Sequence, residues 1–212
     1  ERFYVTVDVL KGAQLRYTTD GTTPTLTNGE LSTGKKFFIT KTVTYRWRLF
    51  QTGKLPSPVT TRSYIVRDRN YTLPVVSIVT DQQNITGNEY GVDVRGIGNG
   101  RSGNGERGNV NWNMDWERPV SFEYIEQNPK ENSEGYFQQE ADLSISGGWS
   151  RRQSPRSFKI KASKTYDLNS LDYRFFDELP YNKNKTLHMR NGGNDNPSNG
   201  GTGRFKDPAI QT

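Results

Sequence analysis

Apolar side chains in this chain recur at every second residue, in short runs cut by turn residues. Phe3, Val5, Val7 and Val9 alternate with Tyr4, Thr6 and Asp8. Val43, Tyr45, Trp47 and Leu49 alternate with Thr44, Arg46 and Arg48, and the stretch 59–66 is rich in Thr, Val, Ile and Tyr. Successive side chains of a strand point to opposite faces, so a period of two predicts half-buried strands. Lys11-Gly12, Asp20-Gly21, Thr52-Gly53 and the Pro56/Pro58 pair separate the runs, as turn residues do. No helical stripe crosses residues 1–66. Short strands with frequent turns predict a small β-sandwich there.

Residues 67–72 are charged and polar, and they mark a domain boundary. The second part opens on Leu73–Thr80, an unbroken apolar run that predicts a strand buried on both faces. Alternating strands come next at 118–126, 141–146 and 157–162, with a further one at 185–190. Asn169–Leu179 reads as a short helix carrying Leu171, Phe175 and Phe176. Gly96–Asn109 and Asn191–Gly203 are mostly small and polar, with too little apolar surface to offset ordering, and read as mobile connections. Phe205 and Ile210 hint at a short helix near the end. The expected fold class is mainly β: an N-terminal β-sandwich, then a β-rich, incomplete α+β segment.

Composition narrows the chemistry. The chain of 212 residues has no Cys and a single His, His188. Disulfides, Cys-ligated metals, multi-His metal sites and a thiol nucleophile are therefore excluded. Hydrophobic residues make up 31%, below the ~45–50% of ordinary domains even when Gly is added. Aromatics, at 12%, must then supply much of the core. The net charge of +6 suits an acidic partner, although the basic residues are scattered. A nucleic-acid partner rests on that charge alone. No run approaches the ~18 apolar residues of a spanning helix, so no membrane span is expected.

Three stretches could carry chemistry. Gly98–Gly103 spells G-x-G-x-x-G, but the residues after it are Gly and Asn rather than a helix start, so it reads as a surface loop. Gly147-Gly148-Trp149-Ser150-Arg151-Arg152 joins two strands. A glycine pair lets backbone approach a ligand closely, and Arg151, Arg152 and Arg156 could pair with phosphate oxygens. Lys159 and Lys161 share one face of the next strand. A glycine loop, a strand and a lysine hold ATP phosphates in kinase N-lobes; a hairpin with a solvated basic face fits the same residues. His188 lies between Leu187 and Met189, facing outward or packed at an edge, with no nucleophile or orienting acid in an evident motif. Trp112, Trp116 and Trp149 could stack on sugars or bases, or pack.

Two patterns resemble known families. Leu15–Pro24, with Leu55–Val59 and Ser63-Tyr64-Ile65, resembles the fibronectin-III-associated, or chitobiase C-terminal-like, β-sandwich, over most of residues 3–66. From residue 73 to 212 the chain is similar to the N-terminal part of the spore-coat protein H (CotH) kinase family. The matching stretches are Leu73–Asp81, Trp116–Tyr124, Ile145–Arg151, Arg156–Lys161, Leu187–Asp195 and Arg204–Asp207. Where many relatives carry Lys before the Ser-Phe pair, this chain carries Arg156.

The resemblance implies a secreted or cell-surface bacterial protein and phosphoryl transfer to a protein substrate, dependent on ATP and a divalent metal. It makes Gly147, Gly148, Ser150, Arg151, Lys159 and Lys161 the phosphate-facing set. The family's catalytic and metal-binding residues fall beyond residue 212, so it implies no catalytic or metal residue within these 212, and an incomplete kinase domain that is inactive alone. The rival expectation is a non-catalytic adhesion module whose exposed aromatics stack on a surface glycan.

Overall fold

The computed structural model describes residues 3–66, 71–98, 110–127, 129 and 134–192. The strands in chain order are β1 Phe3–Thr6, β2 Gln14–Thr18, β3 Glu30–Leu31, β4 Lys36–Ile39, β5 Val43–Phe50, β6 Thr60–Tyr64, β7 Val75–Val79, β8 Arg118–Ile125, β9 Tyr136–Ser146, β10 Ser157–Ala162, β11 Leu171–Asp172, β12 Lys183–Asn184 and β13 Thr186–Met189. The α-helix α1, Gln82–Thr86, is short. The chain is mainly β with antiparallel pairing, as the period of two predicts. It divides into two compact units, residues 1–81 with 121–138, and residues 82–120 with 139–212. Among the described residues no helix is long and apolar enough to cross a membrane.

In the first unit, the sheet β3-β2-β5-β6 and the ribbon β1-β4 enclose an aromatic core. Leu15, Phe37 and Trp47 are buried at its centre, with Val5, Val7, Val9, Tyr17, Tyr45 and Tyr64 against them. Tyr45 and Trp47 stack at 5.0 Å, and Phe37 meets Tyr17 edge-on at 5.1 Å. A chain poor in aliphatics thus fills its core with rings, each burying a large area.

The opposite face of β5 and β6 is polar yet covered. Arg46 is 8% exposed; its guanidinium donates to the Gly21 carbonyl at 2.7 Å and lies 3.8 Å from Asp81. Asp81 in turn accepts from the Thr23 backbone N–H and hydroxyl at 2.7 and 2.9 Å. Ser63 on β6 meets Thr44 of β5 and Ser77 of β7, each at 2.8 Å. Glu123 of β8 is wholly buried. It accepts from the Ser63 N–H at 2.9 Å, the Ser63 hydroxyl, and the Tyr136 hydroxyl at 2.7 Å.

Two expectations are corrected here. The run Leu73–Thr80 forms β7, but it is not buried on both faces: Leu73 is 75% and Val76 42% exposed. The strand ends its sheet, pairing with β8 alone, so one face carries Ser77 toward Ser63 and the other stays partly open. Asn169–Leu179 holds no helix. Leu171–Asp172 pairs instead with Lys183–Asn184. Asp172 accepts from the Ser170 hydroxyl at 2.6 Å, a local bond that competes with helical backbone pairing.

In the second unit β10 lies between β9 and β13. Phe158 stands opposite Ile145 and Met189, and Ile160 opposite Leu143 and Leu187, making the apolar face. The other face carries Ser157, Lys159 and Lys161 on β10, Ser146, Ser144 and Asp142 on β9, and His188 and Thr186 on β13. This alternation is the one that the sequence of 157–162 predicts.

The mobile-connection readings fall almost wholly outside the described residues, as do Gly193–Gly203, the hinted helix at 205–210 and Arg204–Asp207. Of the G-x-G-x-x-G stretch only Gly98 is described; its N–H donates to Asn111 Oδ1 at 2.6 Å.

Candidate functional site

At the end of the polar face, β9 runs into Gly147 and a single 3-10 turn, Trp149–Arg152, before β10 begins. Gly147 sits at φ +99°, a conformation that L side chains rarely adopt, and a Cβ there would lie 2.5 Å from Ser150 Oγ. A Cβ on Gly148 would meet nothing within 4 Å. Exchanging Gly147 for alanine is expected to cost about 1–2 kcal/mol, while Gly148→Ala changes stability by less than about 0.5 kcal/mol. Urea midpoints of the two variants check this.

The turn and the strand ends enclose a cleft of about 550 Å³. Its walls are Ser146, Gly147, Gly148, Trp149 and Ser150 from one side, and Ser157, His188, Arg190 and Asn191 from the other. The walls offer hydroxyls, an imidazole, a guanidinium, an amide and glycine backbone, and none of these residues is a carboxylate. Ser146 Oγ lies 3.0 Å from His188 Nδ1. Ser157 and Asn191 bond twice, hydroxyl to Oδ1 at 2.9 Å and Asn191 N–H to the hydroxyl at 3.0 Å. Among the described residues no acid is hydrogen-bonded to this serine–histidine pair to orient the imidazole as in a catalytic triad. Its register neighbour on β10 is Lys159, a cation.

The expected phosphate-facing set is only partly brought together. Gly147, Gly148 and Ser150 line the cleft. Arg151 does not reach it as a wall: its guanidinium pairs with Asp115 at 2.8 Å and donates to the Trp112 carbonyl at 3.1 Å and to the Gly147 carbonyl. Lys159 lies on the same sheet face, one residue pair beyond Ser157. Lys161 lies farther along and pairs with Glu117 at 2.9 Å. That hydrogen bond, with the charge of Glu117, holds its pKa above the ordinary lysine range.

Arg156 is held away from any ligand too. It pairs with Asp93 at 2.6 Å, donates to the Arg151 carbonyl at 2.6 Å and covers the Trp112 ring at 3.8 Å. The tryptophans divide likewise. Trp112 is buried, Trp116 lies under Arg118 at 4.6 Å, and Trp149 is 50% exposed with Arg152 over it at 3.9 Å.

Sequence reading does not single out Ser146, Ser157, Arg190 and Asn191 as a set, because three strand ends contribute them. Strand register, Ser157 against Ser146 and Phe158 against Met189, is the signal that would gather them. Among the described residues no group of three or more His, Asp or Glu is placed to hold a metal ion.

The model of the family described as Fn3 associated matches residues 5–64. That stretch contains β2 to β6, the second half of β1 (Val5 and Thr6) and the aromatic core. The N-terminal segment is a fibronectin-III-associated domain. No curated protein and no solved structure matches the chain. In the fibronectin-III-associated domain the matched strands end at Tyr64, directly after Ser63, whose N–H and hydroxyl bind Glu123 from outside the matched stretch. Arg62 of the domain lies over the ring of Tyr136 at 3.7 Å, also from outside it.

Proposed function

We propose that the second unit is the phosphate-facing part of a CotH-like atypical protein kinase acting on proteins at or outside the cell envelope. The observation behind this reading is the cleft: glycine backbone, three serine hydroxyls, His188 and Arg190 around about 550 Å³, with no acid among the described residues of the wall. Such donors suit the oxygens of a polyphosphate, and a guanidinium can take two of them at once. Lys159 and Lys161 extend the cationic face beyond the cleft. A kinase lysine is held by a glutamate, and Lys161 has that arrangement with Glu117. The described residues fit phosphate rather than metal, since none of those that line the cleft is a carboxylate. A divalent ion would arrive with the nucleotide, where it neutralises phosphate charge.

Calorimetric titration with Mg-ATP tests the reading. Saturable binding is expected, weakened at least about tenfold by Arg190→Ala, which removes a bidentate donor. No heat from the wild-type chain, or an unchanged Arg190→Ala isotherm, would overturn it. A second reading is favoured by Trp149, half exposed in the wall of the cleft: a glycan ring stacked on its indole. A response of tryptophan fluorescence to soluble polysaccharide, lost in Trp149→Ala and absent with Mg-ATP, would favour that reading.

A further inference from the structure

We infer that Arg16 and Arg48 form an oxyanion site on the fibronectin-III-associated domain, one that takes a phosphate group carrying two charges. The site does not rest on the phosphate reading of the cleft. The two arginines stand directly opposite each other on β2 and β5, so their side chains leave the sheet on the same face. That face is the reverse of the one carrying Leu15 and Trp47 to the aromatic core. Like charges placed directly opposite in a sheet repel. An anion seated between them turns that repulsion into attraction.

Hydrogen bonds hold both side chains without neutralising them. Arg16 Nη1 donates to the Gly29 carbonyl at 3.1 Å, and Arg48 Nε donates to the Ser57 carbonyl at 2.8 Å. Both acceptors are uncharged. Among the described residues neither guanidinium has a carboxylate partner. Both residues are half-buried, and Arg16 Nε is buried with no acceptor among the described residues. A partly desolvated charge gains more from an opposite one than a charge in open water does. The acids of the neighbouring strands and loops are engaged elsewhere. Asp81 binds Thr23 and lies 3.8 Å from Arg46, and Glu30, opposite Tyr17 on the other face, accepts from its hydroxyl. Leu31 and Gln14 beside Arg16 are exposed, which leaves this part of the face open to solvent.

The ligand class follows from the donors. Arg16 Nη2 and both terminal nitrogens of Arg48 lie outside the two carbonyl bonds. Guanidinium forks match the oxygens of a phosphate or a carboxylate. A carboxylate brings one charge, enough for one arginine. A phosphate group brings about two charges and three strong acceptor oxygens, enough for both. In Mg-ATP the ion already bridges phosphate oxygens and neutralises their charge, so the arginine pair gains little from that ligand.

Inorganic phosphate at about pH 8 is the probe, followed by amide NMR of the full chain at constant ionic strength. Saturable shifts are expected at Leu15–Tyr17 and Trp47–Leu49. Arg16→Gln and Arg48→Gln are each expected to bind at least about tenfold more weakly. Arg48→Lys, which keeps the charge but lacks the planar fork, is expected to bind about threefold more weakly, and it serves if the glutamine variants do not fold. Arg62→Gln removes a cation from the other face of the same sheet and is expected to leave the affinity unchanged. No shift at these strands, full affinity in any of the three Arg16 or Arg48 variants, or an equal loss in Arg62→Gln would overturn the site. Glycerol 3-phosphate separates the sources of the group. Binding tighter than that of inorganic phosphate assigns an esterified phosphate, and equal or weaker binding assigns the free ion.

Discussion

Replacing Glu123 with alanine lowers the stability of the first unit by about 3 kcal/mol. The carboxylate is wholly buried and takes three donors: the Ser63 N–H, the Ser63 hydroxyl and the Tyr136 hydroxyl. Alanine leaves those donors without their acceptor. Each buried, unsatisfied donor costs about 1–3 kcal/mol, and the Ser63 hydroxyl can fall back on Thr44 or Ser77. The backbone N–H of Ser63 has no such substitute. Tyr136→Phe removes one charge-assisted bond and is expected to cost about 1.5–3 kcal/mol.

Burial first, and the hydrogen bond to Glu123 second, push the Tyr136 hydroxyl pKa upward. The phenol is neutral when protonated, so its contribution is fully present below the ordinary tyrosine range. It is lost only as pH rises through the raised value, in strong alkali. Urea denaturation of the three proteins checks the set. A shift below about 0.5 kcal/mol for Glu123→Ala would show that the carboxylate is solvated.

Arg156→Ala is expected to be the most damaging change in the second unit, costing about 3 kcal/mol and removing ligand binding. The guanidinium is 9% exposed and its partner Asp93 26%. Alanine leaves that carboxylate half-desolvated with no cation, uncovers Trp112 and releases the Arg151 carbonyl. The turn 149–152 then loses the anchor that holds it beside β10. Lysine is not a substitute, because one ammonium cannot bridge Asp93 and a carbonyl while lying flat on an indole. Arg156→Lys should therefore recover less than half of the loss. Urea denaturation together with Mg-ATP titration separates lost stability from lost binding.

The strands are the legible part of this chain. The alternations at 43–49 and 157–162 each decide a face, because a one-residue slip would turn Trp47 or Ile160 outward. The Gly147-Gly148 turn is legible for the same local reason: glycine permits φ +99° where a Cβ would strike Ser150. What the pattern hides is a polar residue buried by another layer. Arg46 and Glu123 each sit in alternating runs that read as solvent-facing, yet both are covered, because Asp81 and Ser63 are brought to them by folding. Arg151 misleads in the opposite direction. A cation beside a glycine pair suggests a ligand, and Asp115, distant in sequence, takes it instead. The cleft residues Ser146, Ser157 and Arg190 carry no shared motif; strand register alone aligns them.

The central claim is that the cleft binding phosphate is the one built by Gly147–Ser150 and the strand ends at 157 and 188–191. A residue-resolved amide NMR titration with Mg-ATP tests it most directly. Saturable shifts confined to Gly147, Gly148, Ser150, Ser157, His188 and Asn191, lost in Arg190→Ala, are the predicted result. Shifts confined to the fibronectin-III-associated domain, or none at saturating nucleotide, would contradict it.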